Sequence, residues 1–365
     1  MNLSQRSVIF ALAAFGLALS GGCSGGSTTG PGGSTSSGAG GQSPGSGGTT
    51  GSGGITGGGG TTASGGATGS GGRGGGAGTN ASGGRGGTAG AITAGGGGAG
   101  AGTGGSAGGS AGATPSAGCG QAATLQSGTA TIDVSGTSRT YILQLPANYD
   151  PTKAYKLIFG FHWLGGSASD VASGTIIGGP YYGLQSRSAG TAILVAPDGL
   201  PDPSQNNNKG WPNTNGQDVA FVKAMLQLFE SSLCIDQSRI FSTGFSYGGI
   251  FSLTLGCQMS NVFRAIAPES GEFFGSCTAN GGPVAVWQSQ GDSDTTVPPA
   301  NAQSANNYFV TRNHCTTQTT PVSPSPCVAY QGCDSGYPVT WCEFSGGHMP
   351  WSQAPDPVWA FFNQF

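Results

Sequence analysis

The segment Ile240-Phe-Ser-Thr-Gly-Phe-Ser-Tyr-Gly-Gly-Ile250 decides the fold, because it joins an apolar strand to a helix-like run through a G-x-S-x-G sequence. This context predicts a nucleophile elbow, a sharp turn that raises a serine hydroxyl above the end of a strand. Gly244 and Gly248 are needed because a Cβ at either position would clash with neighbouring backbone. The predicted nucleophile is Ser246, and the backbone N–H of Tyr247 at the helix start is a predicted oxyanion donor.

A serine hydroxyl needs a base to accept its proton, and the chain contains three histidines. In hydrolases with such an elbow the acid and then the histidine follow the serine, which excludes His162. His314 lies beside a cysteine at the end of a helical segment and is predicted to be a surface residue. His348 lies in a glycine-containing loop after the predicted strand 339–344, so it is the predicted base.

The acid is expected after a buried strand between the elbow and this histidine. The segment Pro283–Ser289 is such a strand, and Asp292 and Asp294 both lie in the loop that follows it. Either could instead cap the helix beginning near Pro298, because aspartate favours such positions. We predict Asp294, which lies deeper in the loop, and expect it to orient the imidazole and to stabilise the imidazolium.

A second oxyanion donor is expected in the loop after an earlier central strand. The segment Lys156–Phe161 is predicted to be that strand, and His162-Trp-Leu-Gly-Gly166 is the loop. Its glycine pair permits close backbone approach, so the backbone N–H of Leu164 is the predicted donor. His162 is then a structural residue, and no histidine or cysteine pair at metal-binding spacing accompanies it.

Three regions of different composition follow one another along the chain. Residues 1–23 combine a positive charge with a short apolar run, which predicts an export signal too short to span a membrane. The sequence Ser20-Gly-Gly-Cys23 is similar to a bacterial lipoprotein cleavage site but has its leucine one residue too early, so lipid attachment at Cys23 and plain secretion both stay open. Residues 24–118 are almost entirely Gly, Ser, Thr and Ala, which predicts a disordered linker.

Residues 119–365 have the composition and length of one α/β domain. Apolar strands alternate with helix candidates, which predicts a mostly parallel central sheet with helices on both faces. The predicted strands are 129–134, 138–145, 156–161, 191–196, 238–243, 263–268, 283–289 and 339–344, and the clearest helices are 217–232 and 356–364.

The cysteines predict disulfides. The chain has nine, and all except Cys23 lie after residue 118. An even number in an exported domain indicates disulfide bonds, whereas the wide spacings argue against a metal cluster. The segments 327–331 and 339–344 are predicted hairpin arms that place Cys327 nearly opposite Cys342. The other predicted pairs are Cys315–Cys333, Cys119–Cys234 and Cys257–Cys277.

The charge pattern excludes one class of partner. Charged residues make up 7% of the chain and the net charge is −3, so no basic patch indicates nucleic-acid binding. The linker also lacks the aromatic residues that a carbohydrate-binding module needs. Trp351, Trp211 and Tyr182 are candidate substrate-binding residues of the cleft, and core packing is their alternative role.

Residues 119–365 resemble secreted feruloyl esterases of the fungal type, which are related to the acetylxylan esterase and polyhydroxybutyrate depolymerase group. The resemblance implies an α/β-hydrolase fold, no metal or organic cofactor, and Ser246, Asp294 and His348 as nucleophile, acid and base. One departure is Gln290, where relatives often carry histidine. The matching motifs are Phe161-His-Trp-Leu-Gly-Gly166, Tyr181-Tyr-Gly-Leu-Gln185, Ala196-Pro-Asp-Gly-Leu200, Gly210-Trp-Pro-Asn213, Asp218-Val-Ala-Phe221, Gly244-Phe-Ser-Tyr-Gly248, Gly336-Tyr-Pro-Val-Thr-Trp341 and Gly347-His348.

Three functions follow from these observations. The first is a serine carboxylic ester hydrolase that releases ferulic or another hydroxycinnamic acid from feruloylated plant cell-wall polysaccharide, such as arabinoxylan. The second is an acetylxylan esterase or polyhydroxybutyrate depolymerase with the same triad. The third is a catalytically silent surface binding protein, which a complete triad disfavours. We expect a monomer that contacts membranes only through a lipid anchor.

Overall fold

A computed structural model describes residues 112–365, except 175–177, 276 and 278–280. The predicted export signal, the lipid attachment at Cys23 and nearly all of the predicted linker lie outside the described residues. Among the described residues, no helix combines the length and the apolar character that crossing a membrane requires.

Ten strands form one mixed sheet, in the order β1-β2-β4-β3-β7-β8-β9-β12-β11-β10. The six strands from β4 to β12 in this order run parallel, and two antiparallel strands flank them on each side. The strands are β1 (Gly128–Val134), β2 (Thr137–Gln144), β3 (Tyr155–Phe161), β4 (Ala192–Pro197), β7 (Ile235–Phe245), β8 (Ala265–Glu269), β9 (Ala285–Gly291), β10 (Thr319–Pro321), β11 (Val328–Tyr330) and β12 (Val339–Phe344). A separate hairpin joins β5 (Leu200–Asp202) to β6 (Asn208–Gly210).

Helices cover both faces of this sheet, as predicted. Every residue of the central strand β3 is buried. Its alternate side chains belong to two apolar clusters, with Leu157 and Phe159 in one and Ile158 in the other, because successive side chains of a strand point to opposite faces. The helices are α1 (Ala168–Ser173), α2 (Leu184–Ser188), α3 (Gln217–Ser232), α4 (Tyr247–Gln258), α5 (Pro299–Arg312) and α6 (Pro355–Phe362).

The start of the domain lies earlier in the chain than the sequence predicts. The Thr114 N–H donates a hydrogen bond to the Asp236 carboxylate at 3.0 Å, and the Ser116 N–H donates to the carbonyl of Ile235 at 2.8 Å. These contacts attach an extended segment to the beginning of β7. The predicted boundary before Cys119 is therefore corrected to Thr114 or earlier.

Short elements account for the other differences from the prediction. Five elements are at most six residues long, which is too short for a clear hydrophobic period. They are the two strands of the hairpin β5–β6, the helices α1 and α2, and β10.

The nucleophile strand β7 differs from the prediction in its length. It has 11 residues and extends beyond the predicted 238–243 at both ends.

Four disulfides join the eight cysteines of the domain. Antiparallel pairing sets Val328 opposite Trp341, which brings Cys327 beside Cys342. The pairs are Cys119–Cys234, Cys257–Cys277, Cys315–Cys333 and Cys327–Cys342. All four are the pairs expected from the sequence.

Candidate active site

The turn between β7 and α4 presents Ser246 at the carboxyl edge of the sheet. Its φ of 55° and ψ of −119° lie in a region that costs a residue other than glycine of order 1–3 kcal/mol. A Cβ on Gly244 would lie 2.6 Å from the carbonyl carbon of Gly248, and one on Gly248 would lie 2.0 Å from the carbonyl oxygen of Phe161. The two glycines of the motif are therefore required by close backbone packing.

Three side chains form a continuous hydrogen-bonded relay at this edge. The Nε2 atom of His348 lies 2.8 Å from Oγ of Ser246, and its Nδ1 atom lies 2.7 Å from Oδ2 of Asp294. The residues follow the ends of β7, β9 and β12, which lie close together in the sheet. Because the carboxylate accepts the Nδ1–H, Nε2 of the neutral ring is left to accept the serine proton.

Asp294 is held as a carboxylate by several donors. Its Oδ1 atom accepts the N–H groups of Thr296 and Val297 at 2.8 and 2.9 Å, and Oδ2 also accepts a hydrogen bond from Nε2 of Gln290 at 3.0 Å. Burial alone would raise the pKa of Asp294, but the hydrogen bonds from His348 and the backbone outweigh it, so the pKa is lowered. The charged form is the one that orients the histidine.

Asp292 performs a different task in the same loop. Its Oδ1 atom accepts the Gly346 N–H at 3.1 Å and the Ser293 hydroxyl at 2.9 Å, and these donors lower its pKa, the Gly346 N–H most. It is exposed and fixes the loop two residues before His348. The geometry therefore places Asp294, rather than Asp292, against the imidazole.

The two predicted oxyanion donors lie on neighbouring elements. Strands β3 and β7 pair with Phe161 opposite Gly244, so the loop after β3 runs beside the elbow. A Cβ on Gly210 would meet both the Tyr247 ring and the Leu164 side chain, at 2.4 and 3.4 Å. The Tyr247 N–H begins α4, where backbone donors have no partner within the helix and the helix dipole favours negative charge.

The hairpin β5–β6 supports this loop, and no sequence signal indicated it. The Lys209 carbonyl accepts the Gly165 N–H at 2.8 Å. On the other strand, the buried Asp202 carboxylate accepts the Tyr247 hydroxyl at 2.6 Å. The hairpin thus contacts both the loop that carries Leu164 and the first residue of α4.

The two other histidines have structural positions. His162 is fully buried. Its Nδ1 atom lies 2.7 Å from the carbonyl oxygen of Trp163, and its Nε2 atom accepts a hydrogen bond from the Gly199 N–H at 2.8 Å. Burial lowers its pKa to about 4, so the ring is a neutral bridge within the oxyanion loop. His314 is exposed and pairs with Asp334 at 2.8 Å.

The three aromatic residues proposed for the cleft are packed in the interior instead, each at most 7% exposed. The Trp211 ring stacks on Phe251 at 5.1 Å, the Trp351 ring stacks on Phe344 at 5.7 Å, and the Tyr182 hydroxyl donates to the Phe161 carbonyl at 2.6 Å. Their positions favour the alternative role in core packing, and contact with substrate stays a prediction, since residue type alone does not distinguish a cleft aromatic from a core aromatic.

Two exposed hydrophobic residues, which were not among the predicted site residues, lie next to residues of the site. Phe274 and Met349 are the exposed large hydrophobic side chains of the described residues, at 49% and 51%. Met349 follows His348 in the chain, and the Phe274 ring contacts the edge of the Tyr247 ring at 5.4 Å. The adjacency of Met349 to the histidine was a usable signal, whereas Phe274 lies in a loop whose course the sequence does not indicate.

The fold and the site together define a serine hydrolase of the α/β-hydrolase class. In the part of the chain that the structure describes, no cluster of three or more His, Cys, Asp or Glu side chains could hold a metal ion. The chain is 40% identical over 270 residues to feruloyl esterase D of Neurospora crassa, covering 69% of this chain and 91% of that protein. It is also 39% identical over 260 residues to feruloyl esterase C of Emericella nidulans, covering 68% and 90%. The chain therefore belongs to the feruloyl esterase family and is a carboxylic ester hydrolase.

Among solved structures, an acetyl xylan esterase from Aspergillus awamori superposes with a TM-score of 0.52 at 14% identity, covering 64% of this chain and 98% of that one. At this identity the likeness shows the shared fold alone. No protein-family model matches the chain.

Proposed function

We propose that this esterase releases ferulic or another hydroxycinnamic acid from feruloylated plant cell-wall polysaccharide. The observation that carries the proposal is the relay of Ser246, His348 and Asp294, set in a chain about 40% identical to feruloyl esterases. The relay accounts for ester hydrolysis in general, and the similarity to feruloyl esterases indicates that the acyl group is a hydroxycinnamoyl group.

The first half-reaction forms an ester on the enzyme. Oγ of Ser246 attacks the carbonyl carbon of the substrate while Nε2 of His348 takes the hydroxyl proton. The backbone N–H groups of Leu164 and Tyr247 stabilise the negative charge that develops on the carbonyl oxygen. The bond to the sugar oxygen then breaks, and the imidazolium returns the proton to the leaving hydroxyl.

The second half-reaction uses water in the place of the sugar. His348 takes a proton from a water molecule, and the resulting hydroxide attacks the hydroxycinnamoyl ester on Ser246. Collapse of the tetrahedral intermediate breaks the bond to Oγ, which recovers its proton. Asp294 keeps the Nδ1–H bound throughout, so the ring presents the same nitrogen in both steps.

The exposed side chains of Phe274 and Met349 are our proposed contacts for the aromatic acyl group. A phenyl ring gains from stacking or edge contacts with another ring and from contact with a thioether sulfur. Replacing either residue by alanine should lower kcat/KM for methyl ferulate by about tenfold, the value of one lost contact of about 1.4 kcal/mol. The same variants should hydrolyse p-nitrophenyl acetate, which has no acyl ring, at the wild-type rate.

A substrate panel tests the proposed activity directly. Methyl ferulate, methyl caffeate, acetylated xylan and polyhydroxybutyrate are offered to the wild type and to Ser246→Ala, which should lose at least about 10⁴-fold in kcat while remaining folded. Preference for the two hydroxycinnamates supports the proposal. Preference for acetylated xylan or the polyester would replace it by the second function, and binding of xylan without any hydrolysis would indicate the silent binding protein.

The organisation around the catalytic domain is also a proposal. Four disulfides fit an exported protein, because they form in oxidising compartments. We infer that an export signal and a glycine-rich linker precede a monomeric catalytic domain, and that Cys23 carries a lipid. If so, Cys23→Ser should move the enzyme from the membrane fraction to the soluble fraction at an unchanged specific activity. An unchanged distribution would refute the lipid attachment.

A further inference from the structure

A buried carboxyl group that ester hydrolysis does not use lies beside the nucleophile. Glu269 ends β8, the strand next to β7, and it is 3% exposed. Its backbone carbonyl accepts the Ser246 N–H at 2.9 Å. Its side-chain Oε2 accepts the Trp351 N–H at 3.1 Å. One residue therefore contacts both the nucleophile turn and the segment that follows His348.

The contact with the His348 segment is well supported by packing. Trp351 is 7% exposed, and its ring stacks on Phe344 at 5.7 Å and on Trp287 at 6.2 Å. Only two residues separate Trp351 from the histidine, so the position of the Trp351 backbone limits where the imidazole can lie. The buried N–H of Trp351 needs an acceptor, since leaving it without one would cost about 1–3 kcal/mol.

The surroundings of Glu269 favour the uncharged acid. Strands β8 and β9 pair with Glu269 opposite Ser289, and Tyr182 is the titratable neighbour from the segment before α2. Among the described residues, Glu269 forms no ion pair with a basic side chain. Burial raises the pKa of the carboxyl to about 8, against the opposing effects of the Trp351 N–H and the Ser289 hydroxyl. At neutral pH the group is therefore mostly protonated.

We propose that Glu269 is a positioning residue, whose neutral carboxyl group fixes the His348 segment against the nucleophile turn. When the carboxyl ionises, an unpaired charge must be accommodated in an apolar interior, which is costly. Movement of the carboxylate towards water relieves that cost and releases the Trp351 N–H. Turnover should therefore fall as the pH rises through the range in which Glu269 loses its proton. This proposal rests on the proposed triad.

Two substitutions distinguish the role of Glu269 as a hydrogen-bond acceptor from the effect of its ionisation. Glu269→Gln keeps an acceptor oxygen for the Trp351 N–H and cannot ionise, whereas Glu269→Leu removes the acceptor. The matched control is Glu272→Gln, because burial also raises the pKa of Glu272 but its carboxylate contacts Asn301. Turnover of p-nitrophenyl acetate is measured from pH 6 to about pH 10 and is divided by the number of serines that an organophosphonate titrates.

The expected results differ for each variant. Glu269→Gln keeps a wild-type kcat at pH 7 and keeps it above pH 8, where the wild type and Glu272→Gln decline together. Glu269→Leu loses roughly tenfold or more in kcat per titrated serine, with KM little changed. A normal kcat per titrated serine in Glu269→Leu would reduce the residue to a structural role. A decline of Glu269→Gln parallel to that of the wild type would show that another group ionises.

Failure of this proposal is distinguishable from failure of the proposed substrate. The assay ester carries an acetyl group, so it reports on the positioning of the triad whatever the natural acyl group is. Wild-type enzyme that hydrolysed this ester but not methyl ferulate would overturn the substrate class and leave the test of Glu269 intact. Thermal unfolding of each variant establishes that the compared proteins are folded.

Discussion

Replacing Asp294 by asparagine should disable the enzyme through the tautomer of His348. In the structure Oδ1 of Asp294 accepts two backbone N–H groups, from Thr296 and Val297. An asparagine must keep its oxygen at this position, because the two backbone donors are fixed, whereas the donors that face Oδ2 belong to the side chains of His348 and Gln290, which can adjust. The NH₂ group then points at Nδ1 of His348, which can only accept it, and the ring proton moves to Nε2. A protonated Nε2 cannot take the proton of Ser246.

The expected loss is large because the wrong tautomer blocks the first step. Loss of the correct tautomer in such a triad costs roughly 10⁴-fold in kcat, which corresponds to about 5 kcal/mol of barrier. The fold should be nearly unchanged, since asparagine has the same shape and keeps both backbone hydrogen bonds. The Asp292→Asn variant is the matched control, because its remaining carbonyl oxygen still accepts the Gly346 N–H, and its kcat should stay within about threefold of the wild type.

Steady-state hydrolysis of methyl ferulate, followed by ultraviolet absorbance at pH 7, measures both variants. Thermal unfolding and circular dichroism establish that each is folded. A kcat of Asp294→Asn above about a tenth of the wild-type value would refute the tautomer mechanism, and so would a loss of activity in Asp292→Asn instead. The second result would move the acid of the triad to the exposed aspartate.

Three further predictions concern the groups around the site and the stability of the domain. Gln290→Leu removes the amide that donates to Asp294 and should lower kcat by about tenfold, the lower range for losing a hydrogen bond to a charged group, with an unchanged KM for methyl ferulate; a change in KM alone would contradict it. Removing the Cys119–Cys234 disulfide, which closes a separation of 115 residues, should lower the free energy of unfolding by about 4–5 kcal/mol in urea titrations, and a loss below about 1 kcal/mol would contradict the estimate from loop entropy. The pKa of Glu269 is about 8 in the folded protein against an ordinary 4.5, so its stabilising contribution is complete below about pH 4.5 and is lost as the pH rises to about 8. The full loss amounts to about 5 kcal/mol, of which about 3.5 kcal/mol falls between pH 5 and pH 8. Denaturant titrations at these two pH values should show that loss for the wild type but not for Glu269→Gln, and equal pH slopes for the two proteins would contradict it.

Much of the site could be predicted because its signals are local. The elbow is a short motif between a strand and a helix. With three histidines in the chain, the order of the triad excluded His162, and the position of His348 in a loop after a predicted strand favoured it over His314. Asp294 and Asp292 were harder to separate, because the deciding donors are the N–H groups of Thr296 and Val297, which depend on the exact turn. The disulfide between Cys327 and Cys342 followed from the register of a predicted hairpin.

The parts that the sequence did not indicate depend on tertiary packing. Trp211 and Trp351 have the residue type of a sugar-binding surface. Each nevertheless stacks on an aromatic ring from a distant segment, Phe251 for Trp211 and Trp287 for Trp351, and is buried there. The role of Asp202 as the acceptor for Tyr247 requires a hairpin of three-residue strands. Glu269 gave no sign in the sequence, because an acid at the end of a strand is ordinarily solvated.

The attachment of Thr114 to the start of β7 sets the orientation of anything joined to the domain from that side. The chain enters at the amino end of a strand of 11 residues whose other end carries Ser246. Strand β3 pairs with both ends of β7, with Tyr155 opposite Ile235 and Phe161 opposite Gly244. Six residues at about 3.3 Å each place these ends about 20 Å apart, at opposite edges of the sheet. A fusion partner or a solid support coupled through the chain before Thr114 would therefore leave the catalytic edge facing away from it. Immobilised in that direction, the enzyme could meet a long, insoluble polymer without a steric conflict with the support.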